Sequence, residues 1–217
     1  MVRFFMKEAF GKDYFYGKRE SNYSNYDSID ASRQFRSVVS FIKKENVRGK
    51  FLDAGCAFGL LLREVSFFFD ELYGCDVSKF ALEKAKQKIP QAKLRLSSIE
   101  EPLPFQNVAF DCITALDVLE HTKDLDASLG NLVKKLKKNG YLIISLPIEA
   151  WPRKLFGPLD KDKTHISVPT EAKLVTSIKK RKLKILSKKY FCPFPFLYKI
   201  PFIPVEIEMI LQKITEF

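Results

Sequence analysis

The sequence is poor in residues that cross-link chains or hold metals. Its four cysteines, at 56, 75, 112 and 192, form no CxxC pair and no metal-ligand spacing with the only two histidines, His121 and His165. That excludes a zinc ribbon and a disulfide scaffold, and the expectation is reduced, intracellular cysteines with no metal. A long apolar run is also missing. The opening MVRFFMKEAFGKDYF is broken by Lys7, Glu8, Lys12 and Asp13 too early for a secretory core. The most apolar stretch, Tyr190 to Ile214, carries Lys199, Glu206, Glu208 and prolines at 193, 195, 201 and 204, whereas a membrane span needs about 20 consecutive apolar residues. A cytoplasmic protein is expected.

What remains is ordinary globular material. The 217 residues are 46% hydrophobic, enough for one medium-sized domain with small appendages. The formal net charge of +11 invites a nucleic-acid reading, but its distribution is uneven. Met1 to His121 hold 18 basic and 17 acidic residues, and Thr122 to Phe217 hold 19 and 9. The basicity belongs to the second part of the chain.

From Asp27 to Glu45, Ile29, Phe35, Val38, Val39, Phe41 and Ile42 recur at three- and four-residue steps, predicting an amphipathic helix. Strand and helix patterns then alternate: KFLDAGC, GLLLREVSFFF, ELYGCD, SKFALEKAKQK with Ser78 as N-cap, AKLRLSS, VAFDCITAL, ASLGNLVKKLKK and GYLIISLP. Short connections between them mean βαβ units, a parallel sheet and right-handed crossovers. The fold class is α/β, a doubly wound, mostly parallel sheet. The expected organisation is an N-terminal arm or lid over residues 1–26, a core over 27–192 and an apolar tail over 193–217.

Ligands of such sheets sit beyond the carboxyl ends of the strands. Four consecutive strand exits carry small, polar or acidic residues: Asp53 to Gly59, Asp76, Ser97-Ser98-Ile99 and Leu116-Asp117. The first is Gly-Cys-Ala-Phe-Gly, neither the GxGxxG of a dinucleotide site nor a phosphate loop. Asp53 before it repels a diphosphate and favours a ligand with an ammonium or sulfonium group. Asp76, 21 residues after Gly55, can accept both hydroxyls of a ribose, each bond to a charged group being worth about 1.5–3 kcal/mol. The plainer alternative is that Asp76 caps the following helix with Ser78.

In order along the chain, DAGCAFG, GCDVS, SSIEEPLPF, FDCITALDVLEH and GYLIISLP resemble class I S-adenosylmethionine-dependent methyltransferases, in the small-molecule branch with a VLEH segment. The resemblance covers roughly Asp27 to Pro147. It implies that Asp53, Gly55, Cys56, Ala57 and Gly59 form the loop beneath the methionine part of the cofactor, that Asp76 takes the ribose, and that Val77 lies against adenine. Ser98 and Ile99 would face the adenine edge, and Ala115, Leu116 and Asp117 the methionine end. Ala57 replaces a frequent middle glycine, and Ser98 replaces an Asp that commonly accepts from the adenine amino group.

Methyl transfer from a sulfonium is an in-line displacement that needs collinear positioning and, for a hydroxyl acceptor, a base. His121, after the fourth strand, and His165, in Asp160-Lys-Asp-Lys-Thr-His-Ile after the fifth, are the catalytic candidates, set against plain packing roles. Tyr14-Phe15-Tyr16-Gly17 and Tyr23-Ser24-Asn25-Tyr26 read as a lid or as a surface arm, and Trp151 as a pocket wall or as packing. In the basic half, Leu183, Ile185 and Leu186 fit a sixth strand with lysines on its exposed side. Val205 to Phe217 reads as a helix, which leaves no candidate for the antiparallel strand that usually closes this fold.

The expected activity is S-adenosylmethionine-dependent methyl transfer to a small-molecule, sugar or lipid-linked acceptor, at oxygen. The tail beside the lysines suits a membrane surface or another subunit. RNA methylation and a non-catalytic cofactor-binding subunit are the alternatives. An NAD oxidoreductase is disfavoured by the loop spacing, and DNA methylation by Leu-Asp-Val-Leu at the fourth exit.

Overall fold

A computed structural model describes residues 9–18, 21–150, 162–192, 200–201 and 205–214. Trp151 and the first residues of the loop that carries His165 lie outside that set, as do residues 193–199 of the apolar tail.

The predicted first helix is two: α1 (Ala31–Gln34), capped by Asp30 accepting from the Arg33 amide, and α2 (Arg36–Lys44). They meet at Phe35, whose φ of −106° and ψ of 14° interrupt the helix. Next come β1 (Lys50–Ala54), α3 (Leu60–Val65), β2 (Glu71–Asp76) and α4 (Lys79–Lys88). The α4 cap is the one expected, Ser78 Oγ accepting from the Ala81 amide at 3.1 Å. Helix α3 stops at Val65, short of the expected Phe-Phe-Phe, and Phe67 is left 94% exposed. The chain continues through β3 (Lys93–Leu96), β4 (Phe110–Leu116), α5 (Leu125–Lys135) and β5 (Leu136–Pro147). Lys137 and Lys138, expected at a helix end, open β5. Last come α6 (Glu171–Lys180), β6 (Leu183–Cys192), a two-residue β7 (Ile200–Pro201) and β8 (Glu206–Lys213).

Among the described residues these strands form one sheet in the order β3-β2-β1-β4-β5-β8-β6-β7. Strands β1 to β5 pair in parallel, and β8 runs antiparallel between β5 and β6. The expectation of a C-terminal helix and a missing closing strand is therefore corrected. Ile207, Ile210, Leu211 and Ile214 have helical spacing, which misleads because β8 is buried on both faces. Ile207, Met209 and Leu211 pack into the core with α5 and α6, while Ile210 packs into the core with α2 and α3. A strand covered on both sides has no reason to alternate apolar and polar residues. Its one buried acid, Glu208, accepts from Ser37 Oγ at 2.5 Å.

The two cores lie on opposite faces of the sheet. Leu52, Ile113, Leu142 and Ile144 serve one, and Phe51, Cys112 and Ile143 the other. Strand order reverses at β1, so the chain leaves β1 and β4 in opposite directions and opens a crevice at their carboxyl ends. No helix among the described residues is long and apolar enough to cross a membrane.

Leu211→Ala should lower stability by about 2–4 kcal/mol, read from the denaturant midpoint, because it empties a fully buried position in the middle of the sheet. An unchanged midpoint would remove β8 from the core.

Candidate active site

The crevice is a cavity lined by the exits of β1 to β4 and by the N-terminal segment. Eight of the twelve cofactor-binding candidates reach it: Gly55, Ala57, Asp76, Val77, Ser98, Ile99, Leu116 and Asp117. His121 lines it too, together with Phe10, Tyr14, Phe15, Tyr23, Tyr26, Val118 and Glu100. Asp53, Cys56, Gly59 and Ala115 do not reach its surface and support it from beneath.

The loop after β1 is tied to β2. The amides of Gly55 and Cys56 both donate to the Cys75 carbonyl, at 2.7 and 3.1 Å, and the Gly59 amide donates to Cys56 O. Three of its residues are left-handed: Gly55 at φ 81°, Ala57 at 43° and Gly59 at 72°. A Cβ on Gly55 would lie 2.2 Å from Val118 Cγ2, so glycine is required there. Ala57 occupies a conformation that costs an L-residue about 1–2 kcal/mol. The departure from the family's middle glycine therefore acts through the backbone rather than through the space for a methyl group.

Asp76 joins the two readings made of it. Its Oδ2 accepts from the Ala57 amide at 2.9 Å and its Oδ1 from the Ser78 amide at 2.8 Å. It thus organises the cap of α4 as well as the loop. A carboxylate has about four acceptor sites, so these bonds leave lone pairs on both oxygens for a ligand. Burial raises its pKa, and the amides of Ser78, Ala57 and Val77 oppose that shift.

Asp53 is buried, and Thr114 Oγ1 donates to its Oδ1 at 2.7 Å. Burial, reinforced by the charge of Asp76, pushes its carboxyl up to about 7 against the hydroxyl's opposing bond. Asp117 has a left-handed φ of 55°, fixed by its amide donating to Ser145 O at 2.7 Å and by Ser145 Oγ donating to its carboxylate. Ser98 Oγ accepts from the Glu100 amide, so it shapes the third exit.

Aromatic rings form the outer wall. Phe15 and Tyr26 each stand within 5 Å of Phe58, at 4.8 and 4.9 Å between centroids, and Phe10 packs edge-on against Tyr14 at 4.9 Å and His121 at 5.3 Å. Tyr14 and Phe15 are buried. Tyr14 donates to Asp162 Oδ2 at 2.6 Å, and burial followed by that carboxylate keeps its phenol protonated. Burial also raises Tyr26, then Asp53 and Asp76.

His121 and His165, remote in sequence, meet with ring centroids 4.9 Å apart. His121 faces the cavity, and His165 stands behind it, Nε2 4.0 Å from Glu120 Oε1. Asp162 and Thr164, which sequence reasoning did not single out, hold the pair: Thr164 donates through its amide and its hydroxyl to Asp162 Oδ1, and it faces His121 Nδ1. Glu120 is buried, with no hydrogen bond to either carboxylate oxygen. Burial, then Asp117, raises its pKa strongly.

The lining of this cavity contains Asp76, Glu100 and Asp117 and, among the described residues, no lysine or arginine. Such a pocket suits a ligand with positive charge and hydroxyls and opposes a diphosphate.

Known proteins share this sequence pattern and fold. Residues 52–144 match the family described as Methyltransferase domain. The ubiquinone biosynthesis O-methyltransferase of Bartonella quintana is 30% identical over 119 residues, covering 54% of this chain and 47% of the relative. That of Pelagibacter ubique is 33% identical over 98 residues, covering 44% of this chain and 41% of the relative. The chain thus spans less than half the length of these curated relatives. Among solved structures, magnesium protoporphyrin IX methyltransferase from Synechocystis with bound S-adenosylhomocysteine superposes with a TM-score of 0.70 at 18% identity, covering 98% of this chain and 100% of that one. An S-adenosylmethionine-dependent methyltransferase from Clostridium acetobutylicum gives 0.69 at 17% identity, covering 88% and 94%. With the β1 loop, the buried Asp76 and the strand order already in place, residues 52–144 are a methyltransferase domain of the class I S-adenosylmethionine-dependent family.

Proposed function

We propose that the chain transfers a methyl group from S-adenosylmethionine to the oxygen of a small-molecule, sugar or lipid-linked acceptor. The observation that carries the cofactor half is Asp76, buried at the switch point with lone pairs left on both oxygens, in a pocket whose charged lining is acidic. Bound there, the cofactor supplies an electrophilic methyl on a sulfonium. Asp76 would accept the ribose hydroxyls, Val77 would lie against adenine, and Ser98 and Ile99 would border its edge. Gly55 and Ala57 would let the backbone approach the methionine end, with Leu116 and Asp117 on its far side. Asp53, Cys56, Gly59 and Ala115 would shape that end from below, Asp53 acting through charge.

The N-terminal arm, whose Phe10, Tyr14, Phe15, Tyr23 and Tyr26 line the cavity, would serve as a lid, excluding water where the reacting atoms must be collinear. His121 and His165 serve the acceptor by easing the loss of its hydroxyl proton. Oxygen as the accepting atom is supported by the relatives named O-methyltransferases. The acidic pocket gives RNA methylation nothing to bind phosphates with. The lysines beside the C-terminal tail, the remaining basic surface, suit contact with an anionic membrane face or a partner subunit.

Calorimetry should find micromolar binding of S-adenosylhomocysteine and none of NAD, and Asp76→Asn should weaken that binding about tenfold or more. Tight NAD binding without S-adenosylhomocysteine binding would sink the reading. A second expectation concerns pH. With Asp53 near 7, the empty protein holds its proton below neutrality, and a cationic ligand favours the ionised form. The proton must leave for binding at pH 6 and has already left at pH 8. S-adenosylmethionine affinity should therefore rise about tenfold between pH 6 and 8 in the wild type, and by much less in Asp53→Asn. Parallel profiles in the two proteins would remove Asp53 from the cofactor site.

A further inference from the structure

The face of the sheet that carries α2 has a second concavity, a groove between that helix and β6, which shares no lining residue with the cavity at the strand exits. Its first wall is one stripe of α2. Ser37, Ser40, Phe41 and Lys44 recur at three- and four-residue steps and line the groove, while Val38 and Ile42 are buried in the core. The two serines leave space where larger apolar side chains would close the helix onto β6. Ile210 of β8 also lines the groove, and Phe41 stands edge-on to Tyr141 at 5.1 Å.

The second wall exists because β6 carries a bulge. Ile185 lies opposite Leu211 and Ser187 opposite Ile210, so Leu186 is an extra residue in β6. Ahead of the bulge, Ile185 packs into the core shared with α6. Beyond it, Tyr190 is on that side, donating to Glu171 of α6 at 2.7 Å, and Ser187 and Lys189 line the groove together with Leu186. Without the extra residue, strict alternation would put Ser187 and Lys189 on the side of Ile185. Lys189 lies cross-strand from Glu208, whose carboxylate is turned to Ser37 Oγ at 2.5 Å. Lys189 and the start of α2 therefore meet at one end of the groove.

Four cations line the groove, Arg33, Arg36, Lys44 and Lys189, against one acid, Glu45. Glu45 pairs with Lys44 at 3.4 Å, but the Lys44 side chain is 81% exposed, and a pair so placed contributes little. Arg36 and Lys189 have no ion pair among the described residues. We propose that this groove binds an acidic, extended segment of a partner protein. Opposite charge draws such a segment in and rejects neutral and basic ones. The serines and Ile210 suit peptide amides and an apolar side chain, whereas the one aromatic ring in the lining, Phe41, is engaged by Tyr141 and gives nucleobases no platform to stack on. Arg36 and Lys44, the two ends of α2, are about 12 Å apart along its axis. An extended chain covers that distance in roughly four residues, so the segment carries acids at positions i and i+4 with an apolar residue between them. Outside the described residues the sequence holds acids only singly, Glu8, Glu20, Asp160 and Glu216, so the segment must come from another chain.

The test uses the full chain and a panel of fluorescein-labelled peptides with Glu at positions i and i+4 and varied apolar and small residues between them, read by fluorescence anisotropy. The acidic peptides should bind at low salt with a Kd below about 100 μM, and about tenfold tighter than counterparts with Gln in place of Glu. Arg36→Glu and Lys189→Glu should each weaken that binding about fivefold or more, with denaturant midpoints that match the wild type and show that the variants fold. Failure of every acidic peptide to bind would overturn the proposal, as would binding that both variants leave unchanged. Tighter binding of a single-stranded RNA or of phosphatidylglycerol vesicles, lost in both variants, would also overturn it and give the groove to phosphates instead.

Discussion

The site depends on one buried carboxylate. Asp76 ends β2 almost fully buried at the floor of the cavity, and its two oxygens are held by amides from two different loops. A carboxylate in that position is tolerated only while those donors stay in place, so the backbone after β1 and the start of α4 are locked to each other. The left-handed residues at 55, 57 and 59 follow from that lock, because the loop must turn sharply enough to present the Ala57 amide. The feature that stiffens the crevice is also the one that would recognise a ribose.

Charge explains why the crevice differs from the rest of the molecule. The +11 lies mostly after Thr122, on helix ends and along β6, where lysines face solvent and Lys188 pairs with Glu171 at 2.6 Å. Lysines close to the open side of a sheet discourage pairing with other chains. The pocket, by contrast, is lined by Asp76, Glu100 and Asp117, with Asp53 and Glu120 buried nearby. Burial, then the charge of neighbouring carboxylates, raises the carboxyls of Asp53 and Glu120, a strain that a bound cationic ligand would relieve.

Most of the parallel half was legible because each signal there is local. Ser78 announces its helix, and the acidic and glycine residues fall directly after their strands. β8 was illegible for a physical reason: buried on both faces, it lost the alternation that marks a half-exposed strand. The lining of the crevice by Gly55, Asp76, Ser98, Ile99 and Asp117 was legible because four consecutive exits supply it. The cluster around His121 was not, since it is assembled across long separations. Spacing alone set His121 and His165 apart, and nothing local distinguishes Glu120, Asp162 or Thr164 from surface polar residues. Only the return of the loop after β5 onto the β4 exit brings them together.

A crystal structure of the chain with S-adenosylhomocysteine tests the central claim most directly. The ribose hydroxyls should lie within hydrogen-bonding distance of Asp76, adenine beside Val77 and Ile99, and the homocysteine end over Gly55 toward Leu116 and Asp117. A ligand bound elsewhere, or one whose ribose leaves Asp76 uncontacted, would contradict it.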